Sequence, residues 1–458
     1  MKKIITLGLG ALLASTAAFA QTDEPYINVL PGGVYYGGFM PQNISANGQY
    51  VCGSTYLALF PFTSAWQQDN TYVYLDGLSV GDYGGEAVAV TPEGKALGFD
   101  DLGNFWLDCN THEVTRIDLN DSGDPEKPIR DAIPDAMTED GSIIVGECKY
   151  VGNSLQRPCY WENGIFHELP MPTEEEFGVY HLGARARFVS TDGSRIFGYV
   201  IDRFSTLPLI YWERQEDGTY KLNHTYQKYW WDSKYHRTRK DYQRFRPDAV
   251  SKNGKTVILT VVPTSNTEAI LDFNLTAYYD VDTDELTIVN INGEHGIAPF
   301  TKLDVYFNGV SDDGTVVGSC IDATYTTYTA FIMYGADKQP RLMTEVFDNI
   351  GELFDYQDGY PGEGGENKVS AITPDGKYVT GTAWWVDAQL DRGLYEGWVL
   401  YTGDKNVLNT EQNGVEAIAP ADNAAPEYYT ISGQKLNAPV KGINIVRYPD
   451  GTSKKVVL

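Results

Sequence analysis

Val189-Ser190-Thr191-Asp192-Gly193, followed by strand-forming residues up to a second glycine at Gly198, is the stretch of sequence that decides the fold. Its Asp-Gly step supplies the positive φ angles that a tight hairpin between two strands requires. The same pattern occurs seven times: a small or apolar residue, Ser or Thr, a two-residue turn ending in glycine, and then β-formers. The other six copies begin at Ile44, Val90, Met137, Val250, Val310 and Ile372, and the copy at Val250 has Leu259 in place of the second glycine.

The turn glycines of successive copies are 46, 47, 52, 61, 60 and 62 residues apart. Each copy is followed by a second hairpin rich in aromatic and β-branched residues, such as 159–166, so each repeat holds four antiparallel strands. Units of this length and content match the blades of a β-propeller. Helical periodicity over more than ten residues is lacking, so helix should be minor. The sequence therefore predicts an all-β chain with a β-propeller of seven four-stranded blades over residues 21–408, and with six blades as the alternative because residues 21–43 are hard to assign.

The repeats resemble the extracellular HAF-type repeats, whose pattern is a Ser-x-Asp-Gly hairpin followed by an aromatic strand. The first half of that pattern is carried by 249–254 and by 371–381, and the aromatic half by Tyr160-Trp161 and Tyr211-Trp212. The resemblance covers roughly residues 40–402. It implies a secreted, propeller-like array, and it implies no catalytic residue.

The first twenty residues have the features of a secretory signal peptide. Lys2 and Lys3 precede a largely apolar stretch from Ile4 to Phe19, and residues 18–20 place alanines at the two positions that a signal peptidase recognises. No later stretch of about 18 uncharged apolar residues follows, so we expect no transmembrane span. The sequence predicts an exported protein, extracellular or on the outer cell surface, with the periplasm as the alternative.

The chain changes character after residue 408. Residues 409–427 are rich in Asn, Ala, Pro and acids, which is typical of a linker. Residues 428–458 contain three short β-rich stretches separated by glycine turns, with a basic end, and they resemble the C-terminal sorting domain of the type IX secretion route. Asn444 stands where that domain usually has Tyr, and the block is about half the usual length. The resemblance implies secretion machinery as a partner; the alternative is a small β-strand module without a sorting role.

Composition excludes several function classes. The 62 Asp and Glu residues against 35 Lys and Arg give a net charge of −27, which argues against nucleic acid and against anionic membrane surfaces as partners. Five cysteines leave at least one thiol unpaired, so disulfides are not the framework of the fold. Cys148 and Cys159 flank one predicted hairpin and could form a bridge, but the favoured interpretation is that each cysteine is a small buried side chain.

No catalytic or metal-binding motif stands out in the sequence. It contains neither HExxH nor GxSxG, and a Ser or Thr that recurs in seven repeats is better explained as a hairpin hydrogen-bonding group than as a nucleophile. The alternating acids of 280–285 could be a calcium loop, but they lack its central glycine and its distal Glu, which favours a solvated turn. We therefore expect no metal, no cofactor and no catalytic residue.

One segment differs from the acidic remainder. Residues 224–247 hold seven Lys and Arg and two Asp among many aromatic residues. Such a segment between blades could stack on sugar rings and pair with carboxylates or sulfates, or it could pair with the acidic surface of the protein itself. A second aromatic pair lies in a stretch that we expect to connect two strands. The predicted ligand-binding residues are Trp230, Trp231, Tyr235, Arg237, Arg239, Lys240, Trp384 and Trp385.

These observations favour a non-catalytic binding or scaffold protein whose ligand is a glycan or a surface protein. The alternative is a carbohydrate-active enzyme, a glycoside hydrolase or polysaccharide lyase, with acids in the propeller channel. Two carboxylates in the channel, about 5–10 Å apart and beside aromatic walls, would favour the enzyme. A purely structural surface protein would bind no ligand.

Overall fold

The repeats form four-stranded antiparallel sheets in the computed structural model of the chain. The chain divides into two compact units, Met1–Asp404 and Lys405–Leu458. The structure describes residues 25–30, 39–57, 60–67, 72–74, 85–173, 181–202, 209–223, 243–263, 275–290, 305–321, 328–347, 366–387, 392–403, 427–429, 435–436, 443–447 and 453–457.

Each repeat of the first unit is one blade, whose strands follow one another from the innermost to the outermost position. The innermost strands are β2 (Phe39–Ile44), β6 (Glu86–Val90), β10 (Ile129–Met137), β14 (His181–Val189), β18 (Gln243–Val250), β22 (Val305–Val310) and β26 (Glu366–Ile372). The second strands are β3 (Tyr50–Leu57), β7 (Lys95–Asp100), β11 (Ile143–Tyr150), β15 (Arg195–Asp202), β19 (Thr256–Pro263), β23 (Val316–Ile321) and β27 (Tyr378–Asp387). The third strands are β4 (Phe60–Gln67), β8 (Gly103–Asp108), β12 (Arg157–Glu162), β16 (Leu209–Arg214), β20 (Leu275–Asp280), β24 (Tyr328–Met333) and β28 (Arg392–Tyr401). The outermost strands are β5 (Tyr72–Tyr74), β9 (Val114–Ile117), β13 (Ile165–Glu168), β17 (Tyr220–Asn223), β21 (Glu285–Asn290), β25 (Pro340–Leu342) and, in the seventh blade, β1 (Tyr26–Val29).

The blades form a closed ring. Five are separate four-stranded sheets, and the sixth and seventh are joined into one eight-stranded sheet by a single parallel pairing of Tyr328 with Glu366. Each innermost strand contacts that of the next blade, and β26 contacts β2. The seventh blade takes its outermost strand, β1, from the N-terminal end of the chain, where it pairs with β28. The predicted β-propeller is confirmed, and the described strands supply seven four-stranded units.

The repeated hairpin joins the first and second strands of every blade. All seven turn glycines have positive φ angles, which range from 68° at Gly193 to 86° at Gly94. In the fourth blade the buried Ser190 hydroxyl donates to Asp192 Oδ1 (2.7 Å) and accepts from the Arg195 backbone N–H (3.0 Å). The equivalent Ser and Thr residues of the other blades are also at most 2% exposed, and their hydroxyls accept a backbone N–H from the start of the second strand or, in the sixth blade, from Thr315 just before it. These groups hold the hairpin, as predicted, and do not face the solvent as nucleophiles would.

The hydrophobic core lies between successive blades. One cluster joins Ile143 and Tyr160 of the third blade to Ala184 and Trp212 of the fourth, and similar clusters join other neighbouring pairs. Buried tryptophans of the third strands also fix the connections between blades. The indole N–H of Trp212, for example, donates to the carbonyl of Pro170 at 2.8 Å. A blade therefore buries its two faces only when both of its neighbours are present.

All five cysteines are buried, and none forms a disulfide in the structure. Burial raises the pKa of Cys109 and of Cys320 to about 12. Burial also raises the pKa of Cys159, and its hydrogen bond with Cys148 raises it further. The two residues that could have bridged are thus neighbouring thiols in the core between the second and third blades.

The second unit contains a four-stranded antiparallel sheet with the order β30-β29-β31-β32. The sequence predicts three strands here, but residues 427–436 contribute two strands rather than one. The strands are β29 (Glu427–Tyr429), β30 (Lys435–Leu436), β31 (Ile443–Arg447) and β32 (Ser453–Val457). Among the described residues of the whole chain, α1 (Met343–Val346) is the one helix. No helix in this part of the chain is long and apolar enough to cross a membrane.

An extra residue interrupts the innermost strand of every blade, three positions before the buried Ser or Thr. In the fourth blade Ala186 lies opposite Gly198 and Phe188 lies opposite Phe197, so that Arg187 is left without a partner residue, as in a β-bulge. The same irregularity occurs at the equivalent position of the other six blades. The inner strand therefore bends at one fixed position in all seven blades.

The second glycine of the repeat provides space for this bulge. It lies opposite the residue that precedes the bulge, and a Cβ atom on Gly198 would stand 1.9 Å from the carbonyl oxygen of Arg185. In the other five blades that have this glycine, the corresponding distance to a carbonyl oxygen is 2.1–2.8 Å. Any side chain would collide with backbone that cannot move away. The fifth blade forms its bulge with Leu259 opposite Pro247, so the requirement for glycine does not extend to that blade.

Replacing Gly198 with Ala should lower the free energy of unfolding by about 3 kcal/mol, because the added Cβ overpacks the backbone of the bulge. Gly164→Ala is the control: a Cβ there meets nothing within 4 Å, and only its φ of 81° is unfavourable. That variant should lose about 1 kcal/mol. Urea unfolding monitored by circular dichroism measures both values, and equal losses would contradict the role given to the second glycine.

Candidate functional site

The seven bulge residues form one ring in the middle of the propeller, which we call the polar ring. All of them line a central cavity of about 450 Å³ that is bounded by the innermost strands of all seven blades. Six of the seven are polar, and the volume lies in the range that is usual for small-molecule sites. In blade order the members are Gln42, Val88, Asp135, Arg187, Asp248, Asn308 and Ser370.

The ring lies beside a belt of aliphatic side chains. The residue immediately before each buried Ser or Thr also lines the cavity, and in all seven blades it is Ile, Val or Met. These side chains pack mostly into the core, so they present little surface to the cavity. The hairpin ends of the inner strands lie beyond this belt, where Glu139, Thr191 and Lys252 line the cavity. The aliphatic belt thus separates the polar ring from the hairpin end of the channel.

The charged members of the polar ring lie on three consecutive blades. Asp135, Arg187 and Asp248 belong to the third, fourth and fifth blades, and we call them the charged arc. The other four members of the ring are uncharged and form the neutral arc: Asn308, Ser370, Gln42 and Val88. The ring is therefore chemically one-sided although the backbone around it repeats.

The two carboxylates of the charged arc are held by arginines of the protein. Arg185 makes two parallel hydrogen bonds to Asp135, at 2.5 Å from Nε to Oδ2 and at 2.6 Å from Nη2 to Oδ1. Asp248 accepts from Arg246 Nε at 2.8 Å, and its other oxygen accepts from the Thr260 hydroxyl. Such charge-assisted bonds fix each carboxylate in one orientation.

A third carboxylate supports this arrangement from the second strand of the third blade. Glu147 is 2% exposed and accepts two hydrogen bonds from Gln156 Nε2, at 2.8 and 2.7 Å. Its Oε2 lies 3.9 Å from Arg185 Nε, so Arg185 is placed between two acids. The Nε and Nη2 groups of Arg185 are therefore engaged by acids of the protein.

Burial dominates the electrostatics of both aspartates. It raises the pKa of Asp135, although the hydrogen bonds and charge of Arg185 act in the opposite direction. Burial likewise raises the pKa of Asp248, against the charge of Arg246 and the bond from Thr260. Both carboxyl groups consequently bind a proton more readily than an exposed aspartate does.

Arg187 differs from the other two arginines. Its side chain is exposed to the cavity, and it has no ion-pair partner among the described residues. Its charge lowers the pKa of both Asp135 and Asp248, which belong to the two neighbouring blades. Its guanidinium lies over the ring of the adjacent Phe188, whose centroid is 5.8 Å from Arg187 Cζ.

The binding residues predicted from the sequence are not part of this ring. Trp230, Trp231, Tyr235, Arg237, Arg239 and Lys240 lie outside the described residues, so their role stays a prediction. Trp384 and Trp385 do not lie in a connection, as the sequence suggested, but on β27, where their backbones pair with Tyr395 and Leu394. The sequence analysis missed the ring itself. Aligning the seven repeats would have revealed it, because the third position before the Ser or Thr varies between charged, polar and apolar residues.

The acids of 280–285 form a turn whose side chains bond to groups of the protein. Asp280 Oδ1 accepts from the Thr283 backbone N–H at 2.9 Å, and Asp282 pairs with Arg195 and Lys255 at 2.7 and 3.4 Å. Within the described part of the chain, no group of three or more His, Cys, Asp or Glu side chains could hold a metal ion.

Replacing Arg185 with Met should lower the free energy of unfolding at about pH 8 by about 3–5 kcal/mol, because Asp135 stays buried without its partner. The pKa of Asp135 should then rise further, because the hydrogen bonds and the charge of Arg185, which lower it, are lost. Since the folded state would hold that proton more tightly than the unfolded state, the loss should shrink as the pH falls to about 5. Urea unfolding at both pH values measures this. Arg130→Met is the control, because its pair with Asp131 is about half exposed and should contribute less than about 1 kcal/mol. A loss that does not depend on pH would rule out the buried carboxylate as its cause.

Comparison with known proteins identifies related folds only. No protein-family model matches the chain, and no curated protein matches it. Among solved structures, it is similar to an oligogalacturonate lyase from Vibrio parahaemolyticus, with 11% identity over 82% of this chain and 97% of that chain and a TM-score of 0.46. TolB from Acinetobacter baumannii is 13% identical over 65% of this chain and 63% of that chain, with a TM-score of 0.39. Prolyl oligopeptidase B from Galerina marginata is 11% identical over 91% of this chain and 56% of that chain, with a TM-score of 0.46. The chain spans less than two thirds of the last two proteins, and at these identities the likeness concerns the fold and carries no function.

Proposed function

We propose that this protein is a secreted, non-catalytic binding protein, and that its propeller channel takes a hydroxyl-rich ligand such as the end of a glycan. The polar ring carries this proposal. It presents carboxylate, guanidinium, amide and hydroxyl groups at one level of a 450 Å³ cavity. Hydroxyl groups both donate and accept hydrogen bonds, so a ring of mixed donors and acceptors suits a ligand that carries many of them.

The size of the cavity favours a glycan over a protein as the ligand in the channel. A cavity of 450 Å³ admits a small molecule or a chain end, whereas a stable protein–protein interface buries roughly 1,200–2,000 Å² of surface. A protein partner would have to bind elsewhere on the propeller.

Binding is favoured over catalysis because both aspartates of the ring are engaged by the protein. A general acid or a nucleophile must reach the reacting atom with a free oxygen or proton. Both oxygens of Asp135 accept from Arg185, and both oxygens of Asp248 accept from Arg246 and Thr260. The carboxylates are held in the manner of positioned binding groups.

The alternative function is a carbohydrate-active enzyme, and one observation favours it. Two channel carboxyl groups have a raised pKa, which is the condition a glycoside hydrolase imposes on its general acid. Under this alternative, the mature protein would release reducing ends or unsaturated products from a polysaccharide. Asp135→Asn and Asp248→Asn would each abolish that release.

Export is the second part of the proposal. The signal peptide expected at residues 1–20 and the likeness of residues 428–458 to a type IX sorting domain both support an extracellular or outer-surface location. Secreted protein should begin at Gln21, and removal of residues 405–458 should retain it inside the cell envelope. Mass spectrometry and cell fractionation check both points, and a deletion variant that still reaches the medium would exclude a sorting role for the second unit.

Screening the mature protein on an array of neutral and acidic oligosaccharides should identify ligands, and Asn308→Ala should weaken their binding about tenfold. That factor corresponds to the loss of one hydrogen bond, about 1–1.5 kcal/mol. Asn308 is exposed to the cavity in the neutral arc. The matched control is Asn120→Ala, since Asn120 is equally exposed but lines no part of the cavity. The proposal would be wrong if no oligosaccharide bound, or if both variants bound like the parent protein.

A further inference from the structure

Arg187 is the cation of the polar ring that the protein leaves available. Arg185 is committed to Asp135 and Glu147, and Arg246 is committed to Asp248. Lys252 also lines the cavity, but it follows Ser251 and therefore lies on the hairpin side of the aliphatic belt, where Glu139 and Asp312 are the acids that act on it. Within the part of the chain that the structure describes, Arg187 is the exposed guanidinium at the level of the ring.

We propose that Arg187 binds a carboxylate of the ligand, so that the protein selects acidic over neutral hydroxyl-rich compounds. This inference rests on the proposed binding function and names its ligand class. A guanidinium that is partly withdrawn from water needs an acceptor, and a carboxylate offers two oxygens that match its planar fork.

The neighbouring acids position Arg187 without neutralising it. Asp135 on one side and Asp248 on the other both attract its charge, yet each is held back by its own arginine. Arg187 also occupies the bulge of β14, so the backbone itself directs it into the channel. The backbone position from which Arg187 reaches the channel is therefore fixed before any ligand arrives.

The charge balance of the site favours a singly charged group. On the third, fourth and fifth blades, three carboxylates, those of Asp135, Glu147 and Asp248, stand with three guanidinium groups, those of Arg185, Arg187 and Arg246, and Glu86 of the second blade is a further acid that lines the cavity. A carboxylate adds one negative charge to this balanced set, whereas a dianionic phosphate would add two beside buried acids. A sulfate ester also carries one charge, so the test compares a sulfated compound with the carboxylates.

The neutral arc then determines how the remainder of the ligand lies. The blade order places Ser370 and Gln42 on the far side of the ring from Arg187, with Asn308 between. A ligand that is anchored by its carboxylate at the fourth blade would direct its hydroxyl groups toward these uncharged side chains. The channel thus distinguishes the two ends of an acidic sugar.

The test uses matched pairs of trisaccharides: glucuronate-, galacturonate- and mannuronate-containing compounds, and the same compounds with their carboxyl groups reduced to alcohols. Isothermal titration with the mature protein should give at least about tenfold tighter binding for one acidic compound than for its reduced partner. Arg187→Met should remove this difference, because it should weaken binding of the acidic compound at least about tenfold more than binding of the reduced compound. Arg187→Lys should retain part of the preference, because it keeps the charge and loses the fork.

Arg130→Met, which removes an exposed arginine outside the cavity, should leave both affinities unchanged, and thermal unfolding of each variant verifies that it folds. Equal binding of acidic and reduced compounds by the parent protein would overturn this inference and leave the proposed function intact. Tighter binding of a sulfated trisaccharide than of every carboxylate would also overturn it. Binding of none of these compounds, together with an empty oligosaccharide array, would overturn the proposed function itself.

Discussion

The register between the first two strands of each blade is the constraint on which the rest of the structure depends. A buried hydroxyl and a glycine with positive φ fix the hairpin, so the strands can pair in only one way. With the register fixed, the extra residue of the inner strand falls at the same position in every blade. That residue lines the channel in all seven blades. The polar ring is therefore a direct result of hairpin chemistry at the other end of the strand.

This arrangement separates the residues that make the fold from those that give it a function. Ser or Thr and the turn glycine recur in every blade, because each blade must solve the same folding problem. The bulge position has no such role, and it is occupied by seven side chains of six types. Because the charged members lie on three consecutive blades, the ring has a charged side and an uncharged side, although the backbone of the propeller repeats around it. Local ion pairs, such as the one between Arg185 and Asp135, offset the unfavourable desolvation of those charges.

Most of the fold could be predicted from the sequence, because its determinants are local. Gly193 and Ser190 act within six residues of one another, and the repetition of their pattern indicates the blades. The ring could not be predicted in the same way, since it depends on which residue a bulge leaves unpaired and on seven strands meeting around one axis. Trp384 and Trp385 illustrate the opposite error: aromatic residues near a predicted turn suggested a connection, but the strand β27 continues through them. The basic segment 224–247 is evident from its local composition, whereas the charges of the channel are separated in sequence by more than one hundred residues, from Asp135 to Asp248.

The seventh blade joins the two ends of the propeller chain, because β1 completes a sheet whose other strands end at Tyr401. The strand that makes the joint, Tyr26–Val29, is four residues long, and beside its backbone pairing with β28 the ring of Tyr26 lies 5.1 Å from the ring of Tyr401. During synthesis, β1 emerges first but its partner β28 emerges nearly last, so the ring closes only after translation of the whole propeller. In the folded protein, mechanical force applied at the N-terminus would act first on the pairing of β1 with β28, at the junction of the first and seventh blades.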